Sequence, residues 1–252
     1  MARAAAPRSN PLVAAAFFLL VALAWEFGVR WFEVKPYLLP SLSAIATAFW
    51  DARGLLLEHG LVTLGEVLAG FIAAALLGVL LAAAIHVVPI ARSTLYPMVI
   101  ALQSIPKIGL APLMVVWLGY GFGSKLVMAF LFAFFPIVIA TLGGLAGVPS
   151  NLEEHFRALG ASRWTMFRRL QVPAAMPNFM DGCKVAMPLA VIGAIVGEFV
   201  GSNNGLGNVI LTATGSSQTA LTFAALLAVT LLSLALFYVV ELLSKFIWWR
   251  AI

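Results

Sequence analysis

Hydrophobic positions fall in long blocks along this chain, separated by short polar stretches. Four apolar runs are clear, at residues 11–29, 61–88, 126–146 and 221–246. Each approaches or exceeds the roughly 20 residues that carry a helix across a bilayer core. Two further runs are interrupted, 95–118 by Pro97, Pro106, Lys107 and Pro112, and 179–200 by Asp181 and Lys184. The pattern predicts an all-α membrane protein with six transmembrane helices. Between the first two runs, Pro36 and Pro40 bracket a stretch expected to be extended, because proline disfavours helix at itself and at the preceding residue. Ser41 is placed to cap a short helix through Leu42, Ile45, Phe49 and Trp50, lying along the membrane interface.

Composition supports this reading. Of 252 residues, 63% are hydrophobic and 10% charged, and the mean hydropathy is +1.04. Soluble domains run near half apolar and a quarter charged. Basic residues then set the orientation. With a cytoplasmic amino terminus, the inside segments hold Arg3, Arg8, Arg92, Arg157, Arg163, Arg168, Arg169, Lys245 and Arg250. The outside segments hold only Arg30, Lys35, Arg53 and Lys125. Both termini are expected to be cytoplasmic, and the uncharged connection 201–219 suits the far side. The net charge of +5 is therefore topological, and nucleic acid is not an expected partner. Ala22-Leu23-Ala24 resembles a signal-peptidase site, but the apolar run continues through Trp25 and Phe27, so the first span is read as retained. The single cysteine, Cys183, excludes an intrachain disulfide and has no partner at metal-ligand spacing.

Small residues recur every fourth position at Gly70, Ala74, Gly78 and Ala82, at Gly193, Gly197 and Gly201, and at Gly143 and Gly147. Such ridges let helix backbones approach closely. Packing within the chain is the expected use, with a subunit interface or pore wall as the alternative.

The segment richest in information is the polar connection between the fourth and fifth runs, residues 148–173. Ser150 and Glu153 form a capping box that opens one short helix. Gly160 is placed to end it in a left-handed conformation. Ser162 can cap a second helix, with Trp164, Phe167 and Leu170 on one face, and Pro173 is expected to stop it before the next span. The product is a helix-turn-helix knob standing out from the membrane on the inside.

This segment resembles the cytoplasmic loop of membrane subunits of binding-protein-dependent ABC importers. That loop has the form Glu-Ala-Ala, three residues, Gly, nine residues, Ile-any-Leu-Pro. Glu154 and Gly160 have the required separation, and nine residues later comes Leu170-Gln171-Val172-Pro173. His155 and Phe156 depart from the two alanines. The run from Ser104 through Pro112 to Trp117-Leu118-Gly119, and Gly197-Glu198-Phe199-Val200-Gly201 with Asn203-Asn204-Gly205-Leu206-Gly207, resemble one subgroup. That subgroup comprises permeases for nitrate, taurine, aliphatic sulfonates and pyrimidine precursors of thiamine. The resemblance implies a type I ABC importer permease fold in the bacterial inner membrane. It implies a single permease domain over 1–252 with a core at about 61–248. It implies a coupling loop at 149–176, in which Glu154, His155, Phe156, Arg157, Gly160 and Pro173 meet a cytoplasmic ABC ATPase dimer. It also implies a periplasmic solute-binding protein and a second permease copy. ATP and magnesium would belong to the ATPase, since this chain has no Gly-Lys-Ser/Thr phosphate loop; the glycines of 119–125 have the wrong spacing.

Charges inside spans each need a reason. Glu26 and Glu66 lie near outer helix ends, where snorkelling suffices. Asp181–Lys184 and Glu241–Lys245 have the spacing of local ion pairs. Lys107 stands about twelve residues into its run, roughly 18 Å deep at helical rise. With Glu198, Gln103 and Asn203 it forms the set of candidates for the solute path. A stand-alone carrier or channel is the alternative function, but no inverted repeat is evident. An intramembrane enzyme would need a convergent polar set. His59, read as an outside-loop residue, His86 and His155 are scattered instead, and no catalytic or metal-binding residue is expected.

Overall fold

The computed structural model describes residues 11–247; Arg3, Arg8, Arg250 and the two termini whose sidedness was inferred lie outside them. Among the described residues the regular structure is all helical. α1 (Pro11–Trp31) leads through a turn to α2 (Leu42–Asp51), α3 (Arg53–Val87) and α4 (Pro89–Gln103). A 3₁₀ turn (Lys107–Leu110) opens α5 (Ala111–Leu118), followed by α6 (Phe122–Ala146). Two short helices, α7 (Ser150–Ala158) and α8 (Arg163–Met166), and a π-helical turn (Phe167–Gln171) precede α9 (Val172–Gly201), α10 (Leu206–Gly215) and α11 (Thr219–Ile247).

Among the described residues, four helices are long and apolar enough to cross a membrane: α3, α6, α11 and the continuous stretch Arg163–Gly201 that contains α9. The pair Pro89–Gln103 and Lys107–Leu118 forms a fifth only if its 87° bend is taken as a break within one span. That bend corrects the depth assigned to Lys107. Pro106 cannot donate an amide and pushes Ile105 out of the helical region, so a count along an unbroken helix does not apply.

The centre of the bundle is α9 lying along α6, with α3 packed against α6 and touching α9. Small residues make this possible. A Cβ built on Gly193 would lie 2.6 Å from the carbonyl oxygen of Met128, and one on Gly182 2.6 Å from Ala140 Cβ. A Cβ on Gly70 would lie 2.6 Å from Ala129 Cβ. Ala74, Ala129, Ala133, Ala186, Ala190 and Ala194 fill the same seam, all fully buried. The opposite face of α3 is apolar and open, with Leu76 62% and Leu80 65% exposed, as suits a lipid contact. Two of the three ridges therefore pack within the chain. The third is shifted by one residue: Gly143 and Gly147 are exposed, while Gly144 meets α9, its built Cβ falling 2.8 Å from Asn178 Cβ.

Other expectations change in detail. α3 starts eight residues before the apolar run, so His59 is in a helix and not in a loop. Residues 36–38 turn, because the Lys35 carbonyl accepts from the Leu38 amide at 2.8 Å. Ser41 caps α2 as expected, accepting from the Ala44 amide at 3.3 Å. The uncharged connection 201–219 is mostly α10, whose Leu206, Val209, Ile210 and Ala213 are buried. Glu241 ties α11 to α9 by an ion pair with Lys184 at 3.0 Å, closer than its contact with Lys245 at 4.0 Å.

Gly193→Val should destabilise the protein by about 1–3 kcal/mol, the usual cost of overpacking a tight seam. Gly143→Val, with open space at its Cβ, should be close to neutral. Thermal unfolding of detergent-solubilised protein, followed by tryptophan fluorescence, checks the contrast.

Candidate functional site

The polar knob is built by breakers at both ends. α6 stops at Ala146, and Pro149 holds the N-cap of α7, its carbonyl accepting from the Leu152 amide at 3.0 Å. Ser150 is thus already inside the helix, and the expected capping box does not form. Glu153 is released for other partners. At the other end, Ala161 donates to the Phe156 carbonyl at 3.0 Å and Gly160 to that of Arg157 at 2.9 Å. This paired closure needs a left-handed residue, and Gly160 has φ +73°. Ser162 then caps α8, accepting from the Thr165 amide at 3.1 Å.

Pro173 does not end the second helix. The helical backbone runs from Arg163 to Gly201 without interruption. Pro173 has no amide to offer the carbonyl four residues back, and the turn before it widens to the π form, the Val172 amide bonding to the Phe167 carbonyl. A single π turn is a recognised way to absorb such a defect.

On the knob, Glu154, His155, Arg157 and Gly160 are exposed, Phe156 is half-buried and Pro173 is exposed. No residue of α7 is buried. Leu159 at 72% and Trp164 at 65% exposure add apolar surface beside these charges. Met166 and Leu170 are buried and fix α8 and the π turn to the bundle.

Of the candidates for the path, Gln103 and Asn203 are exposed, Lys107 is half-buried and Glu198 is fully buried. The ammonium of Lys107 sits 5.0 Å from the ring centre of Phe135 and 6.0 Å from that of Phe132, a cation–π arrangement. Glu198 is part of a separate polar cluster at the end of the bundle far from the knob. Thr63 donates to its Oε1 at 2.6 Å, and the Gly207 amide donates to Oε2. The Thr63 hydroxyl in turn accepts from the Leu206 amide at 2.9 Å, and His59 Nδ1 meets the Gly205 carbonyl at 3.1 Å. One carboxylate and one hydroxyl thereby cap α10.

The same cluster holds two residues whose setting differs from the expectation. Lys125 is not an outside-loop cation. It is 1% exposed, and its ammonium donates to the carbonyls of Tyr120, Gly121 and Gly201, closing the end of α9. Glu66 does not snorkel either: it is 2% exposed and faces Glu198 and Lys125. Its position three residues after Thr63 and four before Gly70 was the available signal, since residues three and four apart share a face.

Comparison with known proteins decides what this arrangement belongs to. Residues 74–249 match the family described as binding-protein-dependent transport system inner membrane component. The chain belongs to that family. Among its relatives, a formylaminopyrimidine transport permease, ThiX of Halalkalibacterium halodurans, is 40% identical over 76% of this chain and 76% of its own length. The riboflavin transport system permease RibX of Chloroflexus aurantiacus is 35% identical over 90% of this chain and 85% of its own. A structure of the MetNI methionine ABC transporter in an inward-facing conformation superposes with a TM-score of 0.68. It covers 78% of this chain and 98% of that one at 21% identity, a likeness of fold.

As an inner membrane component, the chain is a multi-pass transport subunit and not an enzyme. Backbone groups buried away from water need partners, and the Lys125–Glu198 cluster supplies them here. Lys125→Met should cost about 3–5 kcal/mol, the range for removing one member of a buried charged cluster. Arg168→Gln, at an exposed position, should leave the melting temperature unchanged. The same fluorescence melt compares the two.

Proposed function

We propose that this chain is the membrane-spanning permease of an ATP-driven importer, with α1 as the first of six spans and both termini in the cytoplasm. The single observation carrying this reading is the knob. Two short helices, joined by the turn at Gly160, present Glu154, His155, Leu159 and one side of Trp164 to solvent. Such a surface fits a groove on another protein, and the family match makes a cytoplasmic ABC ATPase dimer the natural holder of that groove. ATP and magnesium are then handled by the ATPase. A periplasmic binding protein delivers solute at the α10 end, and a second copy of this chain completes the path in the lipid bilayer. Glu154 and Arg157 provide charge at the docking face, His155 and Phe156 shape it, Gly160 sets its turn, and Pro173 shapes the π turn behind it.

The solute we infer is a small nitrogen heterocycle of the pyrimidine type. The names of the relatives at 40% and 35% identity, a formylaminopyrimidine permease and a riboflavin permease, support this. Nitrate, taurine and sulfonates are the competing cargoes. Lys107 over its two phenylalanine rings, with Gln103 near it in sequence, is the proposed lining of the path, and Asn203 lies towards its outer mouth. Glu198 serves as the cap of α10.

Gly160→Val places a β-branched residue in a left-handed conformation, at a cost of about 1–2 kcal/mol, and Glu154→Arg reverses charge on the docking face. Both variants should insert normally, lose co-purification with the ATPase and lose ATP-dependent uptake in proteoliposomes. Aminopyrimidine, riboflavin and taurine, each supplied with the binding protein, serve as test solutes. Normal co-purification with unchanged uptake, or uptake by this chain alone without ATP, would overturn the proposal.

A further inference from the structure

Resting on that reading, the structure carries an inference about how movement of the knob reaches the bundle. α7 has no buried residue, and non-helical segments flank it at 147–149 and 159–162. Among the described residues, the side-chain hydrogen bond that leaves α7 for another element runs through Glu153. Gln171 Nε2 donates to Glu153 Oε1 at 2.8 Å, and His86 Nε2 lies 3.0 Å from Gln171 Oε1. Arg157 clamps the other oxygen of Glu153 at 3.1 Å. The chain is consistent in polarity: the imidazole donates to the amide oxygen, and the amide nitrogen donates to the carboxylate. Beside it the rings of Trp164, Phe167 and His86 stack, at 5.7 Å and 6.4 Å between neighbouring centres.

We propose that the His86–Gln171–Glu153 chain is the tether through which α7 moves α3, with His86 as its positioning residue at the end of that helix. Covalent continuity already joins the knob to α6 and α9, but α3 is connected to neither through the loop. An open space of about 560 Å³ lies among His86, Glu153, Arg157, Trp164, Phe167 and Gln171. Beside that space the ring stack reaches α3 from α8 and the π turn, whereas α7 itself reaches α3 through the hydrogen-bonded chain. The π turn supports this, since it places Gln171 with one side chain facing both partners.

The test uses a bimane label on Val87→Cys, at the exposed end of α3, in the complete complex with its ATPase and binding protein. A second label on Gly143→Cys reports on α6. The native Cys183 is buried, so labelling is selective. In the otherwise unsubstituted complex, ATP with vanadate should shift the emission of both labels. Gln171→Met and Glu153→Leu should abolish the shift at Val87→Cys while the shift at Gly143→Cys and co-purification of the ATPase persist. His86→Phe, which keeps the ring stack but not the donor, should do the same and covers the case in which Gln171→Met fails to fold. Glu153→Gln, which can still accept from Gln171, should retain the α3 response. A normal shift at Val87→Cys in these tether-breaking variants would overturn the tether alone. Absence of any shift at either label in the unsubstituted complex would overturn the reading of the knob on which it rests.

Discussion

Backbone amides and carbonyls at a helix end have no water to turn to inside a membrane, and each one left unsatisfied costs several kcal/mol. The far end of this bundle is arranged around that constraint. α9 ends at Gly201 and α10 begins at Leu206 among buried side chains, so the carbonyls of one helix and the amides of the next both need partners. Lys125 supplies an ammonium to the first, and Glu198 with Thr63 supplies oxygens to the second. The signs follow the helix macrodipoles, cation at the carboxyl end and anion at the amino end. Buried charge here is the means by which a turn is held within an apolar bundle.

The seam between α6 and α9 is the complementary device. Lipid offers no hydrophobic drive for helices to associate, so contact must come from close packing of small residues. Gly182 and Gly193 bring α9 backbone onto α6, and Gly70 does the same for α3. Because these contacts bring backbones together, α6 cannot slide against its neighbours at these points without clashes, and they form the compact body of the bundle. The polar cluster closes one end of that body, and the knob leaves from the other.

The long apolar blocks, the small-residue ridges of α3 and α9, and the turn at Gly160 were legible in the sequence, because each rests on a local rule. Hydropathy needs only a window, a ridge needs only spacing, and a left-handed cap needs only a glycine in the right place. Lys125 and Glu66 were not legible. By hydropathy a charge near the end of an apolar run reads as a loop or a snorkelling residue, and only the fold reveals that Lys125 meets Gly201, 76 positions away. Ser150 and Pro173 failed for a different reason. The motif rules were sound, but the helix register moved by one residue at Pro149, and a π turn absorbed the proline. The family resemblance singled out the loop as the expected coupling segment, yet it contains no information on the His86–Gln171–Glu153 contacts, which depend on residues from three elements.

The contrast between the two ends explains why the knob has the composition it does. A nine-residue helix is too short to be stable alone in water, and burying its face on the bundle would remove the exposed surface proposed above for docking. α7 resolves this by local means. Paired hydrogen bonds close its carboxyl end at Gly160, and Glu153 with Arg157 spans one turn of it. These terms order the helix without covering Glu154, His155 or Leu159. Among the described residues, the side-chain hydrogen bond from the bundle to α7 comes from Gln171. A helix held this lightly can be displaced without disrupting the seam of α6 and α9, while α8 and the π turn stay fixed to the bundle by Met166 and Leu170.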